Sequence, residues 1–355
     1  MNPVSPRLRI LAAFLTILAP AGLPAASDTA TSPAAVRHVW RSPEFPGTEI
    51  DSLALWKGKG DEPLLYVTSK PNHTVEVLNA VTGDKVRTLG KKGNDLGEFK
   101  RPNGISVIGE YLLVVERDNH RVQVFSLPDE KPVFEFGSKE LVKPYGIATV
   151  KTDDGWSIYI TDDYDLGTTE TAGKPDATAR VKHFAWETTG ARPEVRFVKA
   201  FGDKDGPGCL DVVESIVADE DKKLLYICDE KDRSVLVYTL DGKFTGQSFG
   251  NGIIKNDPEG IVVADVQRAD GSTSAVIVLS DQGASATLFR VFDRDTKQHL
   301  GAFTGEPVIA NTDGIALGRV DDSPFEGWAF FAVHDDKCVD AFALRDIVEQ
   351  MGLNR

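Results

Sequence analysis

Residues Pro102–Leu127 read PNGISVIGEYLLVVERDNHRVQVFSL, and the way this stretch divides decides the fold. A Pro-Asn-Gly turn opens a short apolar run, PNGISVI (Pro102–Ile108), and Gly109-Glu110 closes it. A second run, YLLVVERDNH (Tyr111–His120), begins apolar and ends in acids. RVQVFSL then alternates apolar and polar side chains with a period of two, the spacing of a strand and not of a helix.

The same plan recurs five more times, at the spacing of roughly 40–50 residues that marks a repeat architecture. The first repeat holds DSLALW (Asp51–Trp56), LLYVTSK (Leu64–Lys70) and TVEVLNAVTG (Thr74–Gly83). The third holds PYGIATV (Pro144–Val150), SIYITDDYD (Ser157–Asp165) and, after an insertion, RVKHFAWETTG. The fourth is VESIVADE (Val213–Glu220), LLYICDEKD (Leu224–Asp232) and SVLVYTLDG. The fifth is PEGIVVAD (Pro258–Asp265), AVIVLSDQGAS (Ala275–Ser285) and LFRVFDRDT; the sixth is TDGIALG (Thr312–Gly318), WAFFAVHDD (Trp328–Asp336) and CVDAFAL.

Segments between repeats, such as GKFTGQSFG and KQHLGAFTG, read as fourth strands. Four strands taken six times predict an all-β, six-bladed β-propeller, whose radial closure protects strand edges. The sixth repeat stops after its third strand, while VRHVWRSP (Val36–Pro43) lies spare before the first. This N-terminal strand is expected to join the last blade and close the ring. The competing arrangement of the same strands is a β-sandwich or two β domains. Only LRDIVEQM (Leu344–Met351) carries a helical pattern. GEFKRPNGISV and ERDNHRVQVF resemble the NHL repeat family, a likeness that speaks to blades and hardly to activity.

Residues 1–26 stand apart. Arg7 and Arg9 precede the apolar run Ile10–Leu18, and small residues and prolines follow in APAGLPAAS. That order predicts a signal peptide cleaved near Ala26, with residues 27–355 as a single propeller domain, exported to a periplasm or secreted. The apolar run is too short for a stable anchor, an uncleaved anchor being the rival reading. The 355 residues carry 40 Lys and Arg against 54 Asp and Glu, a formal charge of −14. No basic run is present, so nucleic acid and anionic membrane are excluded as natural partners. The chain is expected to act as a monomer on a small molecule. Cys209, Cys228 and Cys338 show no CxxC or Cys/His cluster, so at most one disulfide forms and buried thiols are expected.

In a propeller the start of each blade's innermost strand faces the axis. Those starts are Asp51, Asn103, Tyr145, Glu214, Glu259 and Asp313. The ends of the second strands add Lys70, Glu116, Asp118, Asp162, Asp163, Asp229, Glu230, Asp281 and Asp335. Carboxylates crowded in a partly desolvated funnel repel unless a cation compensates or some are protonated. Mixed Asp, Glu and carbonyl oxygens suit Ca²⁺, whereas six unpaired histidines give zinc no site. The alternative for each acid singly is that it caps a turn by binding backbone amides. No GxSxG, HExxH, P-loop or GxGxxG motif is present.

VESIVADEDKKLLYICDEKD, NDPEGIVVAD, VLSDQGASATLFRVFDRD and NTDGIAL, all within Val213–Leu317, resemble the β-propeller phytases. Those are six-bladed, calcium-dependent enzymes that remove phosphate from inositol hexakisphosphate. EIDSLALW and PYGIA match the same family more loosely. The resemblance implies that Glu214, Glu230, Asp257, Glu259 and Asp313 hold calcium, joined by Asp51. It also implies that Glu214, Glu230, Glu259 and Asp257 carry the catalysis, a metal-assisted attack of water on phosphate. Tyr145 and Lys70 would contact phosphate, and Arg117 or Arg101 would stand where the family has an arginine. The chain departs from the family at Ser52 and Leu53, where one acid of a pair is missing, and at Ser215, which replaces a glycine. Two other functions remain open on this reading: an NHL-like module binding a protein or glycan without catalysis, and a calcium-dependent lactonase-type hydrolase.

Overall fold

The third strand of each repeat, and still more the second, is buried on both faces, and this dictates blades stacked side by side. In LLYVTS (Leu64–Ser69), Leu65 and Val67 pack toward the sixth blade while Tyr66 packs toward the second. The computed structural model describes residues 32–355 except 46, 48, 61, 165–175, 189–191 and 323. The proposed signal peptide therefore lies outside the described residues.

Six sheets form; the first five run antiparallel in sequence order from an inner to a fourth strand, and the sixth takes its outer strand from the N-terminus. The inner strands are Ile50–Trp56, Pro102–Ile108, Pro144–Thr152, Ile216–Asp219, Asp257–Gln267 and Ile315–Arg319. Each touches the next, and the sixth returns to the first, so the sheets form a closed ring. Six apolar clusters fill the spaces between adjacent blades, one at each junction. The six-bladed β-propeller expected from the repeats is the fold.

The ring closes through the N-terminus. Trp40–Arg41 pairs antiparallel with Asp340 and Ala341 of the strand Cys338–Ala343 and supplies the sixth blade's outer strand. Arg41 grips the fully buried Asp340 through two hydrogen bonds of 2.6 and 2.7 Å, and Trp40 lies against Phe331. One addition was not expected: Ala34–Arg37 pairs parallel with Phe303–Glu306 as a fifth strand on the fifth blade. The N-terminal segment thus ties the last two blades together.

The strands expected from GKFTGQSFG and KQHLGAFTG form at Phe244–Phe249 and His299–Glu306. The helix Leu344–Gln350 seats Leu344 and Ile347 between the fifth and sixth blades. Among the described residues no helix is long and apolar enough to cross a membrane. All three cysteines are free; Cys228 and Cys338 are buried as expected, but Cys209 is only half-buried.

Candidate functional site

Four of the six inner strands begin with an irregularity in their pairing. Ile50 pairs with Ser69 and Leu53 with Val67, so three steps on the inner strand oppose two on its neighbour. The same shift falls between Pro102 and Ile105, Pro144 and Ile147, and Pro258 and Ile261. A bulge of this kind inserts one residue and re-aims its neighbours. Here it holds the pairs Asp51-Ser52, Asn103-Gly104, Tyr145-Gly146 and Glu259-Gly260.

The glycines have a steric cause. A Cβ on Gly146 would lie 2.1 Å from the Glu214 carbonyl oxygen, and one on Gly314 would lie 2.2 Å from that of Asp51. Neighbouring inner strands approach too closely there for any side chain. Hydroxyls from the second strands reinforce these contacts. Thr161 receives the Gly146 N–H at 2.7 Å and donates to the Glu214 carbonyl at 2.8 Å. Thr68 does the same between Ser52 and Asn103, and Ser280 receives the Gly260 N–H.

The acids at the second-strand ends divide into two kinds. Glu116, Asp162, Asp229 and Asp281 turn to the loop that precedes the inner strand. Asp162 accepts from the Val142 and Lys143 amides and meets Lys182 at 3.0 Å. Asp281 accepts from the Lys255 and Asn256 amides and pairs with Arg290. Asp229 accepts from Asp211 and Lys231, and Glu116 from the Lys100 amide, Arg121 and Gln123. These acids fasten loops. Asp118 and Asp335 form exposed pairs with Arg117 and Lys337. One residue further along the second strand, Lys70, Asp163, Glu230 and Gln282 interact with the axial set.

The axial groups separate into two halves. In the first, Glu214, Glu230 and Glu259 bring carboxylate oxygens within 4.8 Å of one another. Burial, and next the charge of Glu230, pushes Glu214 well above the usual carboxylate range. Burial and then repulsion from Glu214 do the same to Glu259. Glu230 is pushed up to about 7 by burial, then by Asp163 and Asp257. Glu230 Oε1 is buried and makes no hydrogen bond. Asp257 is half-buried at the start of its strand, opposite Gln282 in the ladder.

In the second half a buried lysine lies between two carboxylates. Lys70 Nζ lies 2.5 Å from Asp51 Oδ2 and 3.0 Å from Asp313 Oδ2. Tyr145 donates its phenolic proton to Asp51 Oδ2 at 3.0 Å, and Ser52 donates to Oδ1 at 2.6 Å. Gln282 Nε2 donates to Asp313 Oδ1. Burial pulls the Lys70 ammonium down, but Asp51 and Asp313 outweigh it and hold it charged well above the lysine range. Asp313 is nevertheless raised to about 7, chiefly by burial. Tyr145 is held protonated by burial and by the charge of Asp51.

The structure therefore brings together Glu214, Glu230, Glu259, Lys70, Asp51, Asp313 and Tyr145. It does not bring Arg117 to them: that guanidinium is spent on Asp118, 2.8 Å away. Arg101 reaches Glu49, which also faces Lys70 at 3.5 Å. Two residues of the site were not singled out from the sequence. Gln282 lies in the SDQGAS stretch of the fifth blade, and its uncharged amide gives no signal of a partnership with Asp313. Arg180 is fully buried, holds Asp163 at 3.1 Å and donates to the Asp211 and Tyr164 carbonyls. Asp163 in turn accepts the Val213 amide just before Glu214.

The donor set fits a hard cation. It is all oxygen, it contains an unsatisfied buried carboxylate atom, and its mutual repulsion would be relieved by positive charge. Below the ring the axis is a channel of about 310 Å³, lined by the residues that directly follow the axial ones, among them Gly104, Gly146, Ser215, Gly260 and Gly314.

No protein-family profile and no curated protein matches the chain. Among solved structures it is similar to a chain of Kuenenia stuttgartiensis hydrazine synthase, with 13% identity and a TM-score of 0.47. The match covers 82% of this chain and 74% of that one. A likeness of this degree carries no argument about chemistry.

Proposed function

We propose that the protein is an exported, calcium-dependent phosphomonoesterase of the kind the β-propeller phytases represent. The observation that carries this reading is the convergence of Glu214, Glu230 and Glu259 on one point of the axis. The phytase-like motifs of Val213–Leu317 supply these residues, and the signal-like residues 1–26 support export.

Glu214, Glu230 and Glu259 would hold the ion, with Asp257 adding negative charge beside Glu230. Bound there, calcium would neutralise the charge that develops on phosphate oxygens. Glu230 would offer its unpartnered Oε1 to that ion, and the attacking water would be oriented beside it. Tyr145 keeps its proton and holds Asp51 in place. Arg180, through Asp163 and the Val213 amide, fixes the backbone that carries Glu214.

The test is phosphate release from calcium phytate and from an aryl phosphate, with and without a calcium chelator. Chelator-sensitive release supports the reading; release from neither by folded protein refutes it. A second reading has its own support: the basic groups nearest the axis are already paired with acids, which suits an uncharged ester such as a lactone. Lactone hydrolysis without phosphate release would select it.

A further inference from the structure

We propose that Lys70 is the funnel's built-in second cation, so that the site takes one divalent ion and a singly phosphorylated ester. The inference rests on the calcium-dependent reading above and names its ion count and substrate class.

The Lys70 ammonium sits where a second ion bridging Asp51 and Asp313 would otherwise go. It is only 5% exposed and contacts one oxygen of each acid, at 2.5 and 3.0 Å. The remaining oxygen of each acid is also occupied, by Ser52 on Asp51 and by Gln282 on Asp313. Neither carboxylate has an oxygen left over for a metal without displacing a partner. By contrast, the Glu214, Glu230 and Glu259 group has no ammonium bonded to it and keeps the unpartnered Glu230 Oε1. One half of the ring thus carries its own cation, and the other half has none bonded to it among the described residues.

The substrate class follows from the same pairing. A polyphosphorylated substrate needs several cations, fixed or bound, to hold its charge. Here Lys70 is committed to Asp51 and Asp313, Arg101 to Glu49, Arg117 to Asp118 and Lys337 to Asp335. One divalent ion beside such a ring matches one phosphate group.

Calorimetric titration of chelator-stripped protein with calcium chloride tests the ion count. The wild type should bind one ion per chain, and Lys70→Met should bind two, because Asp51 and Asp313 are then released. Lys70→Arg should bind one, and the double change Lys70→Met with Asp313→Asn should return the count to one. Two or more ions on the wild type, or one on a folded Lys70→Met, overturns the proposal. Should Lys70→Met not fold, the wild-type count still decides, and Asp51→Asn must leave that count at one. For the substrate, kcat/KM on an aryl phosphate should exceed that on calcium phytate at least tenfold. The reverse order overturns the substrate claim alone. Release from neither overturns the hydrolase reading, while the titration still judges the role of Lys70.

Discussion

Glu259 sits where two pressures meet: burial raises its pKa, and Glu214 and Asp313 repel its charged form. Glu259→Gln removes one repelling charge and one ligand. Calcium affinity and any hydrolysis should then fall by about 100-fold or more, the upper end of what losing even an outer-sphere partner costs a metal site. The calcium-free variant should melt higher than the wild type, by about 1–2 °C for each kcal/mol of repulsion relieved in a domain of this size. Unchanged calcium affinity by calorimetry would remove Glu259 from the site. At this scale much was legible. A residue just before a Gly-Ile step can be placed at the axis from the repeat alone, which singled out Glu259 and Asp313. The partnership of Lys70 with Asp313 was not legible, since it joins positions 243 apart through tertiary structure. Nor was Arg180, whose burial depends on the path of the loop that brings Asp163 beside it.

Among the elements, the closing strand and the axial bulges bear most on the site. Arg41→Ala would leave the fully buried Asp340 without its principal partner, with only the His38 ring nearby at 3.8 Å. Loss of a charged hydrogen-bonded partner of this sort costs about 3 kcal/mol, read as a lowered denaturant midpoint. Thr161→Val removes the hydroxyl that joins Gly146 to the Glu214 carbonyl and should cost about 1–2 kcal/mol. It should also weaken calcium binding by displacing Glu214; an unshifted affinity would show that the hydroxyl supports the fold alone. The closing strand was readable because the sixth repeat lacked an outer strand and Val36–Pro43 was spare. The parallel addition of Ala34–Arg37 to the fifth blade was not, because pairing at a blade's outer edge leaves no side-chain period in the sequence.

For the whole molecule, the acidic funnel couples stability to pH and to calcium. Glu230 and Asp313 are pushed up to about 7 when folded, and Glu214 and Glu259 are also raised well above the usual carboxylate range, all chiefly by burial. The folded chain therefore holds more protons than the unfolded one between about pH 4.5 and 7. Stability of calcium-free protein should be greatest near the lower limit and fall as pH rises through 7. Calcium should reverse that fall, by mass action on the folded state. A melting temperature that rises from pH 5 to pH 7.5 without calcium would contradict the assignment. The most direct measurement is calcium titration of chelator-stripped protein at pH 7 in two buffers of different ionisation enthalpy. The account predicts binding at or below about 1 mM, within the range of oxygen-ligand calcium sites, with protons released and both signals lost in Glu214→Gln. Absence of binding by folded wild-type protein, or binding that survives Glu214→Gln, would contradict it.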